Sequence, residues 1–392
     1  MKRSIFVFLA MVVAPSLLAF AIFIAVVLHD GGVQADMMPE ISPTPTPTLI
    51  ISPMPPIPEP AYDAQSPPEG YVFSLLTGLY ISEEAAERRP FAVVINNERQ
   101  ALPQSGLMQA DIIYEVLAEG SITRIVAIYQ DFDAEMIGPV RSTRSYFTYF
   151  ALDHGAVMAH HGGSVTGYNA IRNRGIPAVD GMRFDGTVFW RDPERRASRG
   201  LEHSSYTSAQ RLLDIADDLN FDMEARENLG LFNFFEELTA PAPRNLAHTV
   251  NIPFHSNKVT VFEYNPETNL YYKFISGGPH MDAAVDEQIA VANVLVQITA
   301  ISVIDNEGRR AVTMTGNGRG YLATHGTFSS VTWARESASA PTRWYDEDGE
   351  PLTVNRGITW ISVISGQPTF EGPPVEIEWH DEDDEGYDED DE

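Results

Sequence analysis

Two arginines three positions apart, Arg141 and Arg144, lie in the segment Ile137-Gly138-Pro139-Val140-Arg141-Ser142-Thr143-Arg144. Gly-Pro marks a turn, and residues three apart share one face where a helix begins. A guanidinium is a planar fork that suits carboxylate or phosphate. The alternative role for such a pair is an internal salt bridge. A second segment, His160-His161-Gly162-Gly163-Ser164, follows the strand candidate Ala156-Val157-Met158-Ala159 and precedes Val165–Arg174. That stretch ends at Gly175 with Pro177 beyond, so Ser164 reads as an N-cap and Gly175 as the residue closing a helix. A glycine pair at a strand-to-helix junction turns backbone N–H groups toward an anion. Gly162, Gly163 and Ser164, with Arg141, Arg144 and Arg124, therefore form the candidate ligand-binding set, an anion site at the carboxyl end of a sheet. An ordinary helix cap accounts for Ser164 as well. The segment is not a nucleophile elbow, because Thr166 stands where G-x-S-x-G requires its last glycine.

Glu115 and Glu119, near Arg124, are the candidate acid–base pair, with His161 or His203 assisting. A polar network is the competing role for two carboxylates beside an arginine. His160, His161, His203 and His280 are also of the metal-ligating type. Their spacing fits neither H-E-x-x-H nor another tight ligand motif, so no metal and no cofactor are expected.

These residues need elements to hold them. Phe91-Ala92-Val93-Val94-Ile95 and Ile125-Val126-Ala127-Ile128-Tyr129 read as buried strands. Thr207-Ser208-Ala209-Gln210 reads as a capping box opening a helix through Leu219, with Leu212, Leu213, Ala216 and Leu219 on one face. Past Pro253 the helical signals fade. Lys258–Tyr264 and Leu270–Ile275 flank a turn at Asn265–Asn269, and Val291–Ile304 and Arg309–Thr315 flank another at Asp305–Gly308. Thr327–Ala334 and Ile358–Ile364 add further strands. The expected class is α+β / α/β: an α/β domain over 71–245, then a mostly-β domain over 246–379. About 300 residues exceed the usual single core, which favours two domains.

The ends of the chain set the compartment. Ile5–Leu28 is an uncharged apolar run behind Lys2 and Arg3, long enough to span a bilayer as a helix with its N-terminus inside. The expectation is a single-pass anchor over 1–29, uncleaved, with the rest extracytoplasmic at the cell membrane. Ala19-Phe20-Ala21 and Val33-Gln34-Ala35 are the alternative signal-peptide cleavage sites. Met37–Pro68 holds eleven prolines, so 30–70 reads as an extended spacer. Ten acidic residues crowd Asp381–Glu392, and 380–392 reads as a solvated acidic tail. The formal charge of −29 argues against nucleic acid as a partner. With no cysteine in its 392 residues, the chain has no disulfide, thiolate chemistry or lipobox attachment.

Several segments also resemble the YerB-like envelope proteins of Gram-positive bacteria, the DUF3048 family. They are Arg88–Asn97, Pro103–Leu107, Gln109–Glu115, Glu119–Arg124, Gly138–Arg144 and His161–Ser164, then Pro279–Asp282 and Gly357–Ile361. The resemblance implies a lipoprotein with an N-terminal α/β domain and a β-rich C-terminal domain, and it implies no particular activity. The chain departs from the pattern in lacking the lipobox cysteine. It also carries Glu202-His203-Ser204 where relatives tend to Pro-His-Asn, leaving His203 as the equivalent. Three functions follow as expectations. The first is binding of an anionic wall polymer or its precursor through Arg141 and Arg144. The others are an envelope hydrolase or transferase, and a protein-interaction scaffold.

Overall fold

In the computed structural model, residues 67–226, 230–242 and 244–373 are described. The expected anchor, nearly all of the Pro-rich spacer and the acidic tail lie outside them. Among the described residues, no helix is long and apolar enough to cross a membrane.

A ten-stranded sheet organises the chain. Its N-terminal contributors are β1 Phe91–Asn96, β2 Ile112–Glu119, β3 Ile122–Tyr129, β4 Val157–His160 and β5 Ala178–Asp180. Three further strands, β6 Thr249–His255, β7 Lys258–Asn265 and β8 Leu270–Ile275, form a smaller sheet. The large sheet then gains β9 Asn293–Ile298, β10 Gly316–Thr324, β11 Thr327–Arg335, β12 Arg343–Tyr345 and β13 Thr359–Ile364. β14, Thr369–Glu371, closes the edge of the smaller sheet against β6.

Strand order in the large sheet is β12-β11-β10-β9-β13-β2-β3-β1-β4-β5. β13 lies parallel to both β9 and β2, with Ser362 opposite Glu115. The expected boundary at 245/246 therefore crosses a shared sheet: Thr359–Ile364 pairs with a strand from the first third of the chain. β1 shows why such strands read as continuous apolar runs. All six of its residues are buried, because both faces of the sheet are covered.

The helices longer than one turn among the described residues are α1 Phe147–Asp153, α2 Val165–Arg174, α3 Pro193–Arg199 and α4 Ala209–Asp218. Among the described residues no helix follows α4, so the region after residue 246 is mostly β. Ala92, Val94, Val126 and Met158 share one core with Phe147, Phe150 and Ile171 of α1 and α2. Phe91, Val93, Ile95 and Ala127 share the other with α4 and with Val250, Phe262 and Tyr271 of the smaller sheet. Each fully buried Val, Ile, Phe or Met side chain among them contributes about 1.5–3 kcal/mol.

α2 starts at Ser164 and ends at Gly175, φ +62°, as the sequence predicts. α4 differs by one residue. Ser208, not Thr207, is its N-cap, because Thr207 is held in a strand-like pair with Ile137 and donates its hydroxyl to Val188 O. The predicted Val291–Ile304 strand is broken. Val291 pairs with Tyr271 in the smaller sheet, Asn293–Ile298 joins the large sheet, and Ile301–Val303 pairs with Arg310–Val312 as a separate hairpin.

Candidate functional site

Residues 138–144 thread between the end of β1 and the exit of β4. Asn96 N donates to Pro139 O, Arg141 N to Val94 O, and His161 N to Arg141 O at 3.0 Å. Thr143 N donates to Gly162 O, and Ser142 Oγ to His161 O at 3.1 Å. Gly138 makes the entry possible: its φ is +149°, and a Cβ there would stand 2.7 Å from Ser205 O. The threading places Arg141 and Ser142 beside His161-Gly162, at the carboxyl ends of the parallel strands β4 and β5.

A cleft of about 180 Å³ opens there, lined by Val140, Arg141, Ser142, His161, Gly162, Met182, Arg191, Leu201 and Glu202. Arg141 Nη2 meets the carboxylate of Glu202 at 2.5 Å, and Glu202 is 63 % exposed. The Arg141 Nε finds no hydrogen-bond partner among the described residues. Arg191 is held from three sides. Its Nη1 donates to Leu201 O at 2.8 Å, its Nε lies 3.4 Å from Asp185, and its Nη2 donates to His161 Nε2 at 2.6 Å.

An imidazole nitrogen that accepts from a guanidinium carries no proton. The His161 Nδ1 therefore holds it and donates to Ser205 Oγ at 2.8 Å. Burial and the neighbouring Arg191 charge lower the His161 pKa to about 4. The cleft thus keeps a neutral imidazole between its cation and its floor. Burial also lowers His160, against the pull of Asp180. Burial alone would raise Asp180, but amide donation from Met182 and Gly162 outweighs it and holds the carboxyl below its usual range.

Of the predicted ligand set, Arg141 and Gly162 line the cleft, and His161 joins them from the acid–base set. The others are engaged elsewhere. Arg124 Nη2 and Arg144 Nη2 both pair with Glu119, Arg124 at 3.0 Å, and Arg124 Nη1 donates to Ser142 O. These two arginines and Glu119 brace the loop from behind, the polar-network role. The Gly162 N–H is committed to Asp180 Oδ1 at 2.9 Å. Ser164 Oγ caps α2 by accepting from Gly167 N. Gly163 is a packing glycine, since a Cβ would stand 2.7 Å from Thr143 Cγ2. The Gly162 and Ser164 N–H groups are thus spent inside the fold, on Asp180 Oδ1 and Thr143 O.

The four acid–base candidates have separate partner sets. His203 Nδ1 accepts from Asn96 Nδ2 at 3.0 Å, with Glu98 at 3.9 Å. Glu115 is fully buried between the two sheets. Its Oε1 accepts from Asn97 Nδ2 and Thr123 Oγ1, both at 2.8 Å, and its Oε2 lies 3.5 Å from Lys273 Nζ. Lys273 in turn contacts His280 Nδ1 at 3.0 Å, and His280 Nε2 contacts Gln104 Oε1 at 2.6 Å. His280 thus serves a buried polar chain. Among the described residues no three His, Asp or Glu side chains converge on a metal position.

Met182, Arg191 and Leu201 complete the cleft, and neither they nor Asp180, which holds the Gly162 N–H, were singled out in the sequence. Asp180 before Gly181 does carry a cap signal, and its Oδ1 accepts from Met182 N. Arg191 has no local signal, because its partners lie 6 to 30 residues away.

The comparisons with known proteins agree with this architecture. Residues 76–222 match the N-terminal domain described as "Protein of unknown function (DUF3048)", and residues 250–361 match its C-terminal domain. The chain is 32 % identical over 293 residues to YerB of Bacillus subtilis strain 168, whose name carries a provisional lipoprotein designation. That match covers 74 % of this chain and 85 % of YerB. The crystal structure of the Bacillus subtilis YerB protein superimposes with a TM-score of 0.67 at 29 % identity, covering 76 % of this chain and 99 % of that one. With both domain matches in the same order and this relative along three quarters of its length, the chain belongs to the DUF3048 family.

Proposed function

We propose that this protein is held at the membrane on its extracytoplasmic side and binds an anionic envelope ligand, a wall polymer or its precursor, in the Arg141 cleft. One observation carries the reading. In a chain of net charge −29, the Arg141 guanidinium opens onto a cleft where its acidic partner is the exposed Glu202 side chain. An exposed carboxylate on an arginine is a weak partner, and a phosphate or carboxylate of the ligand offers the same bidentate chemistry in its place. The lipoprotein designation of YerB supports the membrane attachment. In this chain, which has no cysteine, Ile5–Leu28 would take the place of the lipid.

Calorimetry of the full chain with a polyol-phosphate wall polymer and with inorganic phosphate tests the reading. Arg141→Ala is expected to weaken both at least tenfold, and Arg144→Ala, behind the loop, to leave both unchanged. Equal affinity of Arg141→Ala and wild type overturns it.

The scaffold reading has one observation in its favour. Tyr71, Phe73, Leu75, Leu79 and Tyr80 are exposed around the hairpin of Tyr71–Phe73 and Tyr80–Ser82, and contiguous apolar surface marks interaction sites. Under that reading, Tyr71→Ser with Leu79→Ser abolishes partner recruitment without altering anion binding. The hydrolase or transferase reading lacks a shared pocket for Glu115, Glu119, His161 and His203 among the described residues.

A further inference from the structure

The cleft has two chemically different walls. Arg141, Ser142 and Arg191 make the polar one. Met182 and Leu201 make the other, and they are 69 % and 50 % exposed. Met182 sits on the one-turn helix Gly181–Phe184, with its Cγ and Sδ over Gly162, 3.6 and 3.8 Å from where a Cβ would stand. Those are ordinary contact distances, so Met182 packs on Gly162, and φ +76° is what asks for glycine there. Leu201 follows Gly200, and its carbonyl is fixed by Arg191 Nη1. One guanidinium thus belongs to both walls: it lines the polar side and holds the backbone of the apolar side.

A purely ionic ligand would leave Met182 and Leu201 in water. We infer that the ligand is an amphiphilic anion, a phosphate monoester of an alkyl or isoprenyl chain. Its phosphate would take the place of Glu202 on Arg141, and the first carbons of its chain would cover Met182 and Leu201. This inference rests on the anion-binding reading of the same cleft. The thioether suits it, being unbranched and polarizable and able to follow a flexible chain. Val140, 1 % exposed, supplies an apolar floor between the two walls.

The test uses the full chain in phosphatidylcholine nanodiscs, titrated with inorganic phosphate, butyl phosphate and hexyl phosphate against empty discs. Affinity is expected to rise at least tenfold from phosphate to hexyl phosphate, since each buried methylene strengthens binding by about fourfold. Met182→Ser with Leu201→Ser should flatten that rise, so that the variant binds hexyl phosphate no more tightly than it binds inorganic phosphate. Arg141→Ala should weaken all three. Equal affinity for phosphate and hexyl phosphate overturns the amphiphile and leaves the anion reading standing. Failure of wild type to bind any of the three overturns both.

Discussion

Lys273 Nζ lies 3.5 Å from Glu115 Oε2, and neither side chain has any solvent exposure. Lys273 belongs to the smaller sheet and Glu115 to the large one, so this ion pair crosses the interior between them. Burial lowers the Lys273 pKa to about 8, opposed by the Glu115 charge. The ammonium also stands 4.7 Å from the centre of the Trp360 ring, a contact that favours a cation.

Removing one partner of a buried pair strands the other charge, at a cost of about 3–5 kcal/mol. Lys273→Ala is therefore expected to lower unfolding stability by about that much. Glu115→Gln with Lys273→Met should recover most of the loss, since Gln keeps an acceptor for Asn97 and Thr123. Urea denaturation of the three proteins decides it; a double variant as unstable as Lys273→Ala would show that the charge is not the cause.

At the cleft, Glu202 competes with any incoming anion for Arg141. A unit charge about 4 Å away in water is worth about 1 kcal/mol, roughly fivefold in affinity. Glu202→Gln should thus tighten phosphate binding by roughly that factor, measured by calorimetry at low salt. An unchanged or weakened affinity would mean that Glu202 helps to form the site.

Ser164 separates cap from ligand donor. Ser164→Ala removes the bond to Gly167 N and should cost about 1 kcal/mol of stability. Phosphate affinity should stay at the wild-type value. A tenfold loss of affinity would return Ser164 to the ligand set.

The His161 pKa of about 4 lies below its ordinary 6.5, so the unfolded chain binds more protons than the folded one between these values. Stability from this group is complete above about pH 6.5 and declines as pH falls toward 4. His160, His203, His280 and His325 are displaced in the same direction by burial. His161→Gln is therefore expected to reduce the slope of stability against pH in that window, and not to abolish it. An unaltered slope in chemical denaturation from pH 4 to 7 would contradict the neutral-imidazole assignment.

By itself, the sequence determined the local elements and the family. Continuous apolar runs predicted β1 and β3, turn residues predicted the β7–β8 hairpin, and Ser164 with Gly175 marked both ends of α2. Each of those signals is carried by residues within one turn or one strand of each other, so it needs no partner from afar. The motif order along the chain was also sufficient to recognise the DUF3048 architecture. Arg141 was legible as a candidate for the same reason, as a cation at a turn in an acidic chain.

Only the tertiary structure decided which arginine lines the cleft. Arg141 and Arg144 look equivalent three residues apart. Glu119, brought in by β2, claims Arg144 and Arg124, while the chain's path past Val94 and His161 sets Arg141 in the cleft. The same holds for Glu115, whose role depends on Lys273 more than 150 residues away, and for β13, which enters between β2 and β9 from the far end of the chain. Strand pairing and buried charge pairing are long-range choices made by packing, and no local pattern of residue types records them.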